Sequence, residues 1–158
     1  IGGTIDEIAR SEREMWEGIH SERPFVLAAQ QSVCDKGRAP EGKHTFWAYC
    51  HVPKGSTVDM TEAIEGQLER FAPGFKDCVL ERHTMNCADY QSYNANFIGG
   101  DIIGGVSDWR QIVSRPVAGI RPHTTPAADI FICSASTPPG AGVHGMGGYW
   151  AAEEVLRN

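Results

Sequence analysis

The stretch that most constrains this chain is residues 130–156, IFICSASTPPGAGVHGMGGYWAAEEVL. Its opening residues, Ile130, Phe131, Ile132 and Cys133, are β-branched, aromatic or small, and predict a short buried strand. Pro138 and Pro139 stop that strand, while Gly140, Gly142 and Gly145 let the backbone turn tightly and come close to a ligand. Beyond His144 the residues favour a helix, with Met146, Trp150, Ala151 and Val155 available for an apolar face. Strand, glycine loop and helix together present a helix N-terminus, whose unpaired N–H groups and positive dipole end suit a negative or electron-rich group. The run from Gly140 to Gly145 also fits G-x-G-x-x-G. A dinucleotide fingerprint, however, opens a βαβ unit with an acidic residue about 20 positions on, and no second strand follows here.

The longer run CSASTPPGAGVHGMGGYWAA resembles the C-terminal flavin-contacting motif of the phytoene desaturase-like FAD-dependent oxidoreductases, relatives of carotenoid desaturases, carotenoid isomerases and flavin amine oxidases. Upstream, DKGRAPEGKH at 35–44, NFIGGDIIGG at 96–105, and Arg115-Pro116 followed by Thr125-Pro126 fit the same pattern, so the resemblance covers most of the chain. Two positions depart from it: Ala141 stands where a third consecutive glycine is common, and Gly147 where the family often has Cys. The resemblance implies FAD as cofactor, contacted by Thr137, Gly140, Gly142, Val143, His144, Gly145 and Met146, with the chemistry carried by the flavin and no catalytic side chain. It implies a substrate-binding domain over 1–129 and a flavin-contacting strand–loop–helix over 130–158. The remaining partners it implies are a small hydrophobic substrate, an N-terminal FAD-binding half of the same polypeptide that is absent here, and room for peripheral membrane contact by the longer enzyme. The missing initiator Met agrees with a C-terminal piece of a larger flavoenzyme, expected to be inactive alone.

With 158 residues, 41% of them hydrophobic, the chain has material for one globular core. A net charge of −6 argues against nucleic acid as a partner. No apolar run approaches the roughly 18 residues of a membrane span. The five cysteines (Cys34, Cys50, Cys78, Cys87, Cys133) are odd in number and without C-x-x-C spacing, which reads as reduced thiols of a cytoplasmic protein.

Local signals give the remaining elements. Thr4 and Glu7 form a capping box ahead of Ile5, Ile8, Ala9, Met15, Trp16 and Ile19 at helical spacing, predicting a helix over 5–19. Residues 25–29 and 45–51 read as neighbouring antiparallel strands, the second covered on both faces. Asp59 and Glu62 form a second capping box, opening a helix with a core stripe of Met60, Ala63, Ile64, Leu68 and Phe71, stopped by Pro73-Gly74. Residues 78–85 read as a third strand, 89–96 as irregular, 99–105 as a close-packed glycine segment and 108–114 as one or two helical turns. The sum is an α+β fold, a mostly antiparallel sheet with helices on one face and a substrate cavity on the other, ending in strand, glycine loop and helix.

Two other readings stay open: a non-redox ligand- or anion-binding domain that uses the same loop, and a thiol enzyme pairing Cys133 with His144. Cys133 reads as a small apolar core residue. The six histidines show no metal-ligand spacing, so no metal is expected.

Overall fold

The computed structural model describes residues 1–106 and 108–157, so Asn158, the last residue of the 130–158 segment, lies outside the described residues. The α+β architecture holds: among the described residues there are five α-helices and a two-stranded antiparallel sheet. Helix α1 (Ile5–Trp16) begins at the Thr4 cap, whose hydroxyl accepts the Glu7 N–H while the Glu7 carboxylate accepts the Thr4 N–H. Strands β1 (Val26–Ala29) and β2 (Trp47–Cys50) pair in the register Val26↔Cys50 to Ala29↔Trp47. Helix α2 (Thr61–Phe71) packs on β2. Its buried face holds Leu68 together with Glu65 and Gln67, and Gln67 donates to the Pro24 carbonyl at 3.0 Å.

The sheet is smaller than the sequence pattern predicts. Residues 79–86 carry no regular structure after a 3-10 turn at Lys76–Cys78. Glu81, Arg82 and His83 are all exposed, so that segment has no buried face to set against a sheet edge; Arg82 instead grips Glu65 of α2 with two nitrogens. With no further strand beside β2 among the described residues, Trp47 stays 41% exposed, against the expectation that both faces are covered. The predicted strand at 130–133 reduces to one bridge, Thr124↔Phe131, because Ile132 is held by His123 alone, through backbone and ring. Cys133, expected in the core, is exposed.

Residues 89–96, expected to be irregular, contribute to helix α3 (Cys87–Tyr93). The reason is a capping box at Asn86, which accepts the Ala88 and Asp89 N–H groups while Asp89 accepts that of Asn86; the box expected at Asp59 and Glu62 does not form, and α2 starts after Met60 with no side-chain cap. The close-packed glycine segment is present. A Cβ on Gly100 would lie 2.6 Å from the Cys87 Sγ, and one on Gly104 would lie 2.5 Å from the Ser136 Oγ. Helix α4 (Trp109–Ser114) starts at an Asp108 cap, and α5 (Met146–Leu156) closes the described fold.

Few apolar residues are fully covered. Val26, Leu68, Cys87 and Ala151 are buried, whereas Ile5, Trp16, Tyr93, Trp109, Ile120 and Leu156 are each more than 60% exposed. The α1 stripe faces outward at both ends, and the residue α1 buries is Ser11, whose hydroxyl accepts the Phe25 N–H. The accessible surface is 11128 Å². A compact monomer of 17.2 kDa exposes about 7,800 Å², roughly 3,300 Å² less.

Candidate functional site

The glycine loop rests on a tight turn at 134–137. The Ser134 carbonyl accepts the Thr137 N–H at 3.0 Å and the Thr137 hydroxyl at 2.8 Å, and the Thr137 carbonyl accepts the Gly140 N–H at 2.8 Å. Thr137 is completely buried, so its hydroxyl serves the turn and does not face the loop surface. From this base the loop rises into solvent: residues 141–145 are exposed, and Val143 at the apex has no cover at all. Gly140 and Gly145 sit at φ 102° and 69°, backbone that side-chain-bearing residues rarely adopt.

His144 turns back onto the helix it precedes. Its Nδ1 accepts the Met146 N–H at 3.0 Å, which assigns the ring proton to Nε2 in the neutral imidazole. The ring thus caps the first amide of α5, and it occupies the space beside Gly142, where a Cβ would lie 2.6 Å from its Cδ2 and 2.9 Å from its Nε2. The next two amides, of Gly147 and Gly148, have no acceptor among the described residues. The start of α5 rests on the turn below it: a Cβ on Gly147 would lie 3.6 Å from the Ser134 carbonyl oxygen and one on Gly148 would lie 3.6 Å from the Cys133 Sγ. Arg121 pairs with Glu154 at 2.6 Å and holds the far end of the helix.

Of the residues expected at the cofactor, Gly140, Gly142, Val143, His144, Gly145 and Met146 form one contiguous feature, while Thr137 lies beneath it. Of the amides at 143–146, that of Met146 is taken by His144, while those of Val143, His144 and Gly145, like those of Gly147 and Gly148, have no acceptor among the described residues. The glycine pair directly after Met146 is the signal that marks the last two. Sequence reasoning also gave Arg115 no role of its own, although its side chain comes to the foot of the loop, with Nη1 3.9 Å from where a Cβ on Gly140 would stand.

The rest of the titratable inventory lies elsewhere. Burial pushes the Cys50 thiol up to about 11, keeping it protonated at neutral pH. Among the described residues no group of three or more His, Cys, Asp or Glu could hold a metal ion, and no helix is long and apolar enough to cross a membrane. Two cavities, of about 290 Å³ beside Cys87 and Gln91 and about 530 Å³ beside Cys34 and Arg38, have mixed linings, and neither is lined by the glycine loop.

The chain is similar to the protein named Pyridine nucleotide-disulfide oxidoreductase domain-containing protein 2 of Rattus norvegicus, at 28% identity over 153 residues, covering 89% of this chain and 26% of that protein. The protein of that name from Mus musculus matches with the same identity and coverage. The chain therefore spans about a quarter of the length of the curated relatives it matches. No family model matches it, and no solved structure does.

Proposed function

We propose that this chain is the substrate-side and flavin-facing part of an oxidoreductase, FAD-dependent and of the phytoene dehydrogenase-like kind. Residues 1–129 form its substrate-binding portion and 130–158 its flavin contact. The observation that carries this reading is the exposed glycine loop leading into α5, with no acceptor for the Gly147 and Gly148 amides among the described residues. Glycines at 140 and 145 leave bare backbone where a flat ring system needs close approach, and Gly142 makes room for the His144 ring, so the residues present fit a flavin. The likeness to an oxidoreductase domain-containing protein supports the same class. So does the surplus of accessible surface, which matches what a large permanent interface covers; its cover would be the dinucleotide-binding half of a longer polypeptide.

When bound, FAD supplies hydride acceptance from a C–H bond of the substrate. What the chain contributes is electrostatic and steric. The α5 amides donate toward negative charge that builds up next to the loop, with no charged side chain needed. His144 fixes the loop by capping α5 and leaves its Nε2–H free to donate outward.

The test is FAD retention and turnover in the chain joined to the dinucleotide-binding half that its parent reading frame encodes. Gly142→Val should abolish or strongly weaken FAD retention, because its side chain drives into the His144 ring and over the loop surface. His144→Ala should keep flavin and lose about tenfold in turnover, about 1.4 kcal/mol of transition-state stabilisation. If Gly142→Val is harmless while His144→Ala ends turnover with flavin still bound, the chemistry belongs to the histidine and the reading is wrong.

A further inference from the structure

Arg115 directly follows α4 and is only 7% exposed. Its Nη2 donates to the Ile103 carbonyl, and its Nε is buried with no hydrogen-bond partner. No carboxylate among the described residues forms an ion pair with it, whereas Arg70, Arg82 and Arg121 each grip a glutamate. Asp101, on the turn that offers the Ile103 carbonyl, has both oxygens engaged by the Ile103 and Gly105 N–H groups. A buried guanidinium with an open N–H and no counter-charge lowers the stability of the fold around it. Such a group is completed by water, an ion or a ligand, or is held under strain by the fold around it.

Two glycines stand against the guanidinium. Gly105 and Gly140 border the guanidinium at φ 123° and 102°; a Cβ on either would come to 4.0 Å from Nη2 or 3.9 Å from Nη1. Bare backbone therefore lies on two sides of the charge. The loop that begins at Gly140 runs on to the open amides of α5, a second set of donors on the same loop. A guanidinium presents five N–H donors in a flat fork that matches an oxyanion, and here one of them, on Nη2, has an acceptor among the described residues.

We propose that Arg115, lodged between the 101–105 and 137–140 turns, is the binding residue of an oxyanion site at the foot of the glycine loop. The site takes the phosphate or carboxylate group of a small molecule. It does not rest on the flavin reading, since the oxyanion belongs equally to a cofactor's phosphate or to a substrate's carboxylate.

The experiment is thermal unfolding of the chain in sodium phosphate, sodium acetate and sodium chloride at matched ionic strength, for the wild type, Arg115→Met and Arg115→Lys, with FMN and riboflavin titrated by fluorescence. Phosphate or acetate should raise the wild-type Tm above that in chloride, the rise should vanish in Arg115→Met, and Arg115→Met in chloride should melt no lower than the wild type. Arg115→Lys keeps the charge without the fork, and should lose about tenfold or more in anion affinity, which decides the matter should the Met variant fail to fold. FMN binding better than riboflavin, with the margin lost in Arg115→Met, assigns the oxyanion to a cofactor phosphate. Equal flavin binding with a response to acetate assigns it to a substrate carboxylate. If neither flavin binds the chain alone, the phosphate and acetate arms judge the site by themselves, and the flavin reading is judged separately by FAD retention in the joined chain. An anion response absent from the wild type, or undiminished in both variants, overturns the proposal. So does a Tm loss for Arg115→Met in chloride alongside a full response in Arg115→Lys, which would make Arg115 a strut for the Ile103 carbonyl.

Discussion

The first and second halves of this molecule are built by different means. Up to about Cys78, residues far apart in sequence are joined. β1 and β2 exchange a ladder, Arg70 reaches Glu7, Gln67 reaches the Pro24 carbonyl, and His51 reaches Glu12. From Cys87 onward most bonds stay within a turn. Asp101 closes on Ile103 and Gly105, Asp108 on Arg110 and Gln111, and Ser134 on Thr137, with a few long ties such as Ser136 to Gly104 and Arg121 to Glu154. The first half is a scaffold held by non-local packing; the second is a chain of self-closing turns that lifts the glycine loop into solvent. Local turns cost little loop-closure entropy and fix shape without a large core.

Leu68→Ala offers the largest effect. Leu68 is 4% exposed on the buried face of α2, so the truncation should cost about 3 kcal/mol. Hydrogen exchange should show protection lost in β1, β2 and α2 while α3 and α5 change little. Equal loss in all five elements would mean one cooperative unit and erase the contrast drawn here. Gly100→Ala probes the other half. Its φ of +85° and the 2.6 Å approach to Cys87 together should cost about 2 kcal/mol, with protection lost at α3 and the 98–105 segment and retained in the β ladder.

Acid gives the smallest and most selective effect. The Arg70 guanidinium, with the Thr4 amide, holds the Glu7 carboxyl at about 2, well below its ordinary 4.5. Arg82 lowers Glu65, and the Lys76 and Gly74 amides lower Glu69. A carboxyl depressed by folding contributes stability that is present above its ordinary pKa and is lost as pH falls through that value toward the folded one. All three groups belong to the first half, so that half should loosen first as pH drops from 4.5 toward 2. Glu7→Gln lacks this contribution, and the Tm gap between it and the wild type should close across the same window. A gap that stays constant with pH would count against the Glu7–Arg70 pair as a stabilising contact.

Legibility in the sequence follows the same division. Helix starts were readable at the Thr4 and Asp108 caps, whereas the box read at Asp59 and Glu62 does not form and the Asn86–Asp89 box carried the same signal for α3 although residues 89–96 read as irregular. Strands were readable only where a partner exists. Residues 26–29 and 47–50 find each other, whereas 78–85 and 130–133 have equally strand-like composition and no free edge beside them, a fact no local pattern contains. The loop at 140–145 was legible because glycine and proline punctuate it. Arg115 was not, since its lack of a counter-charge depends on where Glu and Asp side chains from the whole chain finally lie.

The ring of His144 standing over Gly142 makes positions 142 and 144 rivals for one volume. In evolutionary terms the two are epistatic. A side chain can appear at 142 only after the imidazole has shrunk or swung away, and an imidazole can appear at 144 only opposite a glycine. The order in which such substitutions occur is then constrained, and the loop can drift only along paths that change the cap of α5 before they fill the space above it.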